Sequence, residues 1–297
     1  MARPLPTVAI VAITLVTCAT LLAAAGYVLM RFTDVRIPFI SDTCRAYADG
    51  DHVQLEPEQL THAATIAAAG TMSRVGERGV AIALATALQE SKLRNLSHGD
   101  RDSLGLFQQR PSQGWGTAEQ LQDPHYASTI FFSRLRKIPN WRELAIADAA
   151  QAVQHSAHPS AYAKWSTEAT TLAGALAGKQ TRAVTCQLRE QLDSHGQTNV
   201  EQLRNALQRD YGGLNLHLIQ GNELRLSLDL SGGKNSSSLP PGGPVTGWHL
   251  AHWFVAKSRD YGVQQVAFDG AAWSASSGKW ESNKSARPGQ LTLRLSD

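Results

Sequence analysis

Apolar residues recur at helical spacing through the middle of the chain. Residues 77–91 carry them at the i, i+3, i+4, i+7 and i+8 positions of a helix that packs one face on a core. These are Val80, Ala83, Leu84, Ala87 and Leu88. Similar stripes, with prolines at helix starts, predict a helical block over residues 57–178. Residues 95–116 lack this period and are rich in Gly, Asp, Ser, Gln and Pro, which predicts a long loop of the kind that often carries function.

The pattern changes after residue 186. Every second residue from 224 to 230 is leucine, which is the period of a strand. Helices are expected over residues 200–211 and 248–261, and further strands over residues 263–268 and 291–295. This order predicts a small α+β domain at the C-terminal end of the chain.

The N-terminus holds the longest apolar run. No charged residue occurs over residues 6–30, and a membrane-spanning helix needs roughly 20 apolar residues. We therefore expect residues 1–31 to form a transmembrane helix, followed by a linker over residues 32–43. The chain would then be a single-pass cell-membrane protein whose body is extracytoplasmic. Three alanines at residues 23–25 keep a cleaved signal peptide open as the alternative.

Two of the three cysteines bracket the helical block. Cys18 lies inside the apolar run, which leaves Cys44 and Cys186. An isolated pair in an oxidising compartment predicts a disulfide, with two buried free thiols as the alternative. We expect the pair to frame a domain over residues 44–186, with a second domain over residues 187–297.

Charge and composition exclude some functions. The chain has 28 Lys and Arg against 25 Asp and Glu, a net charge of +3, which is too weak a bias to predict nucleic-acid binding. His249 and His252 have a spacing compatible with a metal site, but no Cys, Asp or Glu partner lies near them in sequence. We expect neither a metal nor a cofactor.

Glu90 is the strongest candidate for acid–base chemistry. It lies at the rim of the apolar stripe and in the last turn of its predicted helix. Partial burial and the negative end of the helix dipole both disfavour a charged carboxylate there, so both raise its pKa. A carboxyl that stays protonated near neutral pH can protonate a glycosidic oxygen. The competing interpretation is a solvated surface glutamate that happens to lie at a helix end.

The surroundings of Glu90 resemble the signature of lysozyme-like lytic transglycosylases. In that superfamily a helix ends in Glu-Ser and a loop returns through Gly-Leu-Met-Gln; here Glu90-Ser91 is followed by Gly105-Leu106-Phe107-Gln108, with Phe in place of Met. The longer run GDRDSLGLFQQRPSQGWG, residues 99–116, is most similar to a membrane-anchored cell-envelope branch of the superfamily. The resemblance covers about residues 44–186 and implies a mainly α, lysozyme-like domain.

The resemblance also implies a reaction. The substrate would be peptidoglycan, cleaved between N-acetylmuramic acid and N-acetylglucosamine, with Glu90 as the single general acid and base. Asp100 and Asp102 are candidates for the second carboxylate that hydrolysis would need, or else turn-forming residues. The residues expected to contact substrate, among which the aromatic ones have core packing as their alternative, are Ser91, Gly105, Phe107, Gln108, Gln109, Trp115, Gln154 and Tyr162.

One departure from the superfamily keeps a second function open. Its members usually carry Ala-Tyr-Asn-Ala-Gly on a later helix, where the Tyr faces the acid. Residues 152–157 read Ala-Val-Gln-His-Ser-Ala, so Gln154 is expected in the place of that Tyr. The alternative is a non-catalytic peptidoglycan-binding or envelope-assembly scaffold that retains the lysozyme fold.

The C-terminal part carries a weaker resemblance. Residues 247–256, with Val266-Ala267-Phe268-Asp269-Gly270 and Trp273, resemble a degenerate carboxypeptidase-like domain of cell-wall hydrolases. The His and Asp ligand pattern of the zinc peptidases is not visible in the sequence. The resemblance therefore implies a scaffold or partner-binding role for this part.

Overall fold

The computed structural model describes residues 16–21, 42–156, 159–188, 196–212, 214, 216–227 and 244–296. The chain divides into two units, residues 1–41 and residues 42–297. The sites discussed below lie in the second unit.

The prediction of a transmembrane helix is wrong. Among the residues that the structure describes, no helix is long and apolar enough to cross a membrane. Within the apolar run the structure describes residues 16–21, which are helical. The rest of residues 1–31, and the linker as far as residue 41, lie outside the described residues. A single-pass membrane location with an extracytoplasmic body is likewise not supported.

A three-stranded antiparallel sheet joins the chain segments that precede and follow the helical block. Its strands are β1 (Thr43–Ala48), β2 (Asp51–Leu55) and β3 (Val184–Gln187), in the order β2-β1-β3. Cys44 and Cys186 lie directly opposite each other on β1 and β3 and form a disulfide, which confirms the predicted pair. The sequence did not predict this sheet, because its buried side chains are small and its strands are short.

The helices between these strands place the candidate acid. They are α1 (Pro57–Met72), α2 (Gly76–Ser91), α3 (Ala118–Leu121), α4 (Pro124–Leu135), α5 (Ile146–Gln154) and α6 (Ser166–Leu176), with a 3-10 segment, Pro159–Trp165, before α6. All side chains of α2 from Gly79 to Leu88 are buried. A helix that is buried all round lies at the centre of its fold, so α2 is more enclosed than its one-faced pattern predicted.

The C-terminal part is an antiparallel sheet with helices against it. The helices are α7 (Gly196–Tyr211), α8 (Pro244–Ala256) and α9 (Ser258–Tyr261). The strands are β4 (His217–Gln220), β5 (Glu223–Ser227), β6 (Val263–Phe268), β7 (Ala271–Ser274), β8 (Lys279–Ser282) and β9 (Gln290–Leu295), in the order β4-β5-β9-β6-β7-β8. The helices and strands expected here are present where the structure describes them, and β4, β7 and β8 were not predicted. Residues 228–230 of the expected leucine strand lie outside the described residues.

Two buried histidines join α8 to the end of α6. His249 Nδ1 donates to the carbonyl of Leu176 at 2.6 Å, and its Nε2 lies 2.9 Å from the hydroxyl of Tyr211. His252 Nδ1 donates to the carbonyl of Ala175 at 2.9 Å, and its Nε2 accepts the N–H of Ala183 at 3.0 Å. Each ring nitrogen is therefore engaged, so the pair acts as packing and has no free nitrogen for a metal. The domain boundary expected at residues 186–187 stays a prediction.

Candidate active site

An abrupt helix end holds Glu90 in place. Helix α2 stops at Ser91, and the next two residues, Lys92 and Leu93, take left-handed backbone conformations with φ of 56° and 59°. Such conformations cost a non-glycine residue about 1–2 kcal/mol each. Two side chains of α1 stabilise this turn: Gln59 donates to the carbonyl of Lys92 at 2.9 Å, and His62 Nδ1 donates to that of Leu93 at 2.7 Å. Backbone strain maintained by its surroundings beside a carboxyl group is typical of a functional site.

The carboxyl group of Glu90 is half-buried and has a tyrosine partner. The hydroxyl of Tyr162 donates to Glu90 Oε1 at 2.6 Å. Burial raises the pKa of Glu90, and hydrogen bonds from Tyr162 and Gln154 oppose this without cancelling it. The direction is the one expected from the position of Glu90 in the sequence. Glu90 therefore keeps its proton to a higher pH than an exposed glutamate does.

Tyr162 contacts the acid from an unexpected place. Its ring is fully buried, and it belongs to the 3-10 segment that precedes α6. Burial, and then the neighbouring Glu90 carboxylate, raise the pKa of Tyr162, so its hydroxyl is a neutral donor at any ordinary pH. The sequence predicted Tyr162 as a ring that stacks on sugar or packs in the core. In the structure the ring packs in the core and the hydroxyl reaches the acid.

Gln154 links Glu90 to the loop over residues 95–116. It is the last residue of α5, and its Nε2 donates to the carbonyl of Phe107 at 2.7 Å. The Gln154 side chain also lowers the pKa of the Glu90 carboxyl group. The tyrosine that contacts Glu90 is Tyr162, and the assignment of Gln154 to the place of the superfamily's tyrosine stays a prediction.

The loop returns to the end of α2 as a tight turn. Leu104 and Gln109 pair as an isolated antiparallel bridge, and Ser91 Oγ donates to the carbonyl of Leu106 at 2.7 Å. Gly105 has φ of +74°, and a Cβ there would clash with the carbonyl oxygen of Leu121. Only glycine fits both requirements, so Gly105 fixes the shape of this turn.

Several side chains predicted to contact substrate face the core. Phe107 is fully buried and stacks on Phe131 with ring centres 4.8 Å apart. Gln109 is buried and donates to the carbonyl of Ala127 at 3.3 Å. Trp115 is 4% exposed and lies beneath the guanidinium of Arg134, 3.4 Å from the ring centre. These three buried side chains pack the loop against the core, so their contact with substrate stays a prediction.

Gln108 differs from these three. It is half-buried and has φ of +47°, and its Nε2 donates to the carbonyl of Gly105 at 3.2 Å. Its side chain fills the space beside Gly99, where a Cβ would clash with the Gln108 amide. Gln108 thus orders the turn that holds Gly105 in place.

Neither candidate for a second carboxylate is among the groups that shift the pKa of Glu90. Asp102 accepts from Arg110 Nε at 2.7 Å and from the backbone N–H of Ser112 at 2.8 Å, and these bonds hold its pKa well below its usual range. Asp102 is therefore ionised and braces the loop. The side chain of Asp100 is 95% exposed, with Arg101 at 3.9 Å. Within the described part of the chain, no carboxylate is among the groups that shift the pKa of Glu90.

Two lysine side chains, Lys92 and Lys164, lie over the ring of Trp165 near the end of α2, and this cluster was not predicted. The indole N–H of Trp165 donates to Gln89 Oε1 at 2.9 Å, one residue before Glu90. The Nζ atoms of Lys92 and Lys164 lie 4.1 and 5.4 Å from the centre of the same indole ring. The stretch around Glu90 showed Lys92, but the ring that gathers the two lysines comes from a segment more than 70 residues later.

Comparison with known proteins assigns no family to the chain. No protein-family model and no curated protein matches the chain. The likeness to lytic transglycosylases stays a prediction that depends on Glu90-Ser91 and on residues 99–116. The function of the site accordingly depends on Glu90 and on the groups that contact it.

Proposed function

We propose that the protein cleaves the glycan strand of peptidoglycan between N-acetylmuramic acid and N-acetylglucosamine, with Glu90 as the general acid. The observation that carries the proposal is the 2.6 Å hydrogen bond from Tyr162 to a half-buried Glu90 at the strained end of α2. The raised pKa of Glu90 keeps its carboxyl group protonated, so that it can donate the proton. The neutral hydroxyl of Tyr162 can stabilise the carboxylate that then forms. Both are needed by a group that gives up a proton and later takes one back.

The proposed reaction needs one carboxyl group. Glu90 protonates the glycosidic oxygen, and the bond from that oxygen to C1 of the muramyl residue breaks. The resulting carboxylate then accepts the proton of the muramyl 6-hydroxyl, whose oxygen bonds to C1 and gives a 1,6-anhydro end. Tyr162 donates to the carboxylate between these two proton transfers. Atoms balance without water, and Glu90 ends in its starting form.

The arrangement of carboxylates favours this route over hydrolysis. An inverting glycosidase needs a second carboxylate about 6.5–9.5 Å from the acid, and a retaining one about 5–5.5 Å. Asp102 is occupied by Arg110 and Ser112, and Asp100 extends into solvent. Transfer to an internal hydroxyl does not require a second carboxylate.

A second candidate function has one observation in its favour. Gln154 is expected where the superfamily usually has a tyrosine, and its side chain lowers the pKa of Glu90. A neighbour that stabilises the charged form lowers the pKa of Glu90, so less of the glutamate is protonated at a given pH. This contact favours a glycan-binding protein that does not cut.

The test is a digest of purified peptidoglycan with three full-length proteins: the unmutated chain, Glu90→Gln and Glu143→Gln. Glu143 is exposed, so its variant controls for the substitution itself. Mass spectrometry of the soluble products should show anhydro-muropeptides with the unmutated chain and the control, and none with Glu90→Gln. Reducing muropeptides would instead indicate hydrolysis. Products from none of the three, with binding to the insoluble glycan retained, would establish the binding role.

A further inference from the structure

Two lysine side chains share one tryptophan ring at the edge of the candidate site. Lys92 Nζ lies 4.1 Å from the centre of the Trp165 ring, and Lys164 Nζ lies 5.4 Å from it. Lys92 is also positioned by a hydrogen bond to the carbonyl of Leu88 at 3.1 Å. The indole N–H is in turn bonded to Gln89. The ring therefore gathers two ammonium groups beside the end of α2.

The local helix geometry connects this cluster to the acid. Tyr162 and Trp165 are three residues apart in the 3-10 segment, and residues with that spacing lie over one another in such a helix. Tyr162 contacts Glu90, and Trp165 contacts Gln89. One 3-10 turn rises about 6 Å, so the backbones of Tyr162 and Trp165 lie about one turn apart.

The two positive charges lack a carboxylate partner. Lys92 and Lys164 are both exposed, and in the described part of the chain neither forms an ion pair. Burial, and then the charge of Lys164, lower the pKa of Lys92. An anion bound close to both ammonium groups would relieve their repulsion.

We propose that Lys92, Lys164 and Trp165 form a subsite for a carboxylate of the glycan substrate, beside the bond that Glu90 protonates. The inference rests on the proposed function. N-acetylmuramic acid carries a lactyl group, whose carboxylate is free on strands without peptides and amide-linked on strands with peptide stems. The stems bear carboxylates of their own, whereas N-acetylglucosamine has none. The subsite would therefore distinguish a muramic acid strand from neutral chitin.

The test measures binding in full-length Glu90→Gln protein, so that the glycan stays intact. Fluorescence anisotropy follows three labelled probes: glycan strands without peptides, strands with peptide stems, and chitin oligosaccharides. The variant Lys92→Met with Lys164→Met removes both charges and keeps the aliphatic length. Arginine at both positions restores the charges. Methionine at Lys137 and Lys279, two exposed lysines elsewhere, removes the same net charge as a control.

The double methionine variant should bind peptide-free strands about three- to tenfold more weakly at low salt, with less difference at high salt. Its binding to chitin oligosaccharides should not change, and the arginine pair and the control should bind normally. Weakening confined to strands with stems would support a carboxylate subsite that takes the stem as its source. Unchanged binding to both muramic acid probes, or equal weakening on chitin, would overturn the inference.

Failure of the proposed function looks different. If Glu90→Gln releases the same products as the unmutated chain, the catalytic role is lost while lysine-dependent binding still stands as a carboxylate subsite. If none of the three glycans binds, both proposals are overturned.

Discussion

At the scale of single residues, the carboxyl group of Glu90 and the hydroxyl that donates to it matter most. The direction of the pKa shift of Glu90 could be predicted from its place in the sequence, because the end of a helix and the rim of an apolar stripe both disfavour charge. Its partner could not be predicted. Tyr162 is 72 positions away, and nothing in a helical pattern shows which hydroxyl folds back onto which carboxyl.

Replacing Tyr162 with Phe tests that pair. The lost hydrogen bond stabilises the ionised form, so the pKa of Glu90 should rise further. Cleavage requires the protonated form, so the alkaline limb of the activity profile should move to higher pH. The maximal rate should fall about tenfold or more, because the carboxylate formed during reaction loses its donor. Release of anhydro-muropeptides as a function of pH measures both effects.

The control for this change is Tyr47→Phe, which alters an exposed tyrosine on the β1–β2 hairpin. Its profile should match that of the unmutated protein. An unmoved alkaline limb in Tyr162→Phe would mean that Tyr162 does not act on the acid.

At the scale of elements, the turn after α2 matters most. The helix itself could be predicted from its apolar period and ends where expected. The two left-handed residues after it could not, because lysine and leucine rarely take that conformation and the side chains that stabilise it come from α1. The sheet β1–β3 was missed for a related reason: small buried residues such as Ala46 and Ala48 give a weak strand signal.

His62→Ala tests whether α1 positions the acid. Removing the imidazole leaves the carbonyl of Leu93 without its partner, which should lower the free energy of unfolding by about 1–3 kcal/mol. If His62 positions Glu90 through this turn, kcat should fall several-fold and KM should change less, because the acid is displaced while the glycan contacts remain. Urea unfolding and steady-state cleavage measure the two effects.

The exposed His52 provides the matched control, since His52→Ala removes an imidazole from the hairpin surface. An unchanged kcat in His62→Ala, at temperatures where the protein stays folded, would show that the turn tolerates movement and that His62 acts on stability alone.

At the scale of the whole molecule, contacts between distant segments join the part framed by the disulfide and the C-terminal part. The disulfide could be predicted, because two cysteines at the edges of one pattern leave a single pairing. The packing of α8 against the end of α6 could not be predicted from sequence. His249 and His252 had a spacing compatible with a metal, and in the structure both nitrogens of each ring are engaged by the fold.

These buried histidines predict acid lability. Burial lowers the pKa of His252 from 6.5 to about 3 and lowers that of His249 as well. A lowered folded-state pKa means that the unfolded chain binds more protons below pH 6.5. Stability should therefore be constant with respect to these groups above pH 6.5 and be lost as pH falls from 6.5 towards 3, by up to about 1.4 kcal/mol per pH unit for each histidine.

Urea unfolding from pH 7 to pH 4 measures this loss for the unmutated chain and for His252→Asn. The variant should be less stable at pH 7 and should lose stability less steeply below pH 6.5. Parallel pH profiles for the two proteins would exclude His252 as a source of acid lability.

The disulfide should contribute stability through the length of chain that it closes. Cys44 and Cys186 are 142 positions apart, and a loop of that length corresponds to about 5 kcal/mol in the chain-entropy model, with measured values typically 2–5 kcal/mol. The double variant Cys44→Ala with Cys186→Ala should therefore lower the free energy of unfolding by that range. Cys18→Ala, which leaves the bridge intact, should not change it, and equal stability of all three proteins would contradict the assignment.

The most direct test of the central claim is a peptidoglycan digest in water enriched in oxygen-18, with the unmutated chain and Glu90→Gln side by side. Attack by the muramyl 6-hydroxyl takes no oxygen from solvent, whereas hydrolysis takes one atom at each new reducing end. If Glu90 is the acid of a lytic reaction, the unmutated chain should give unlabelled 1,6-anhydro ends and the variant should give no products. Labelled reducing ends, or the same products from Glu90→Gln, would contradict this claim.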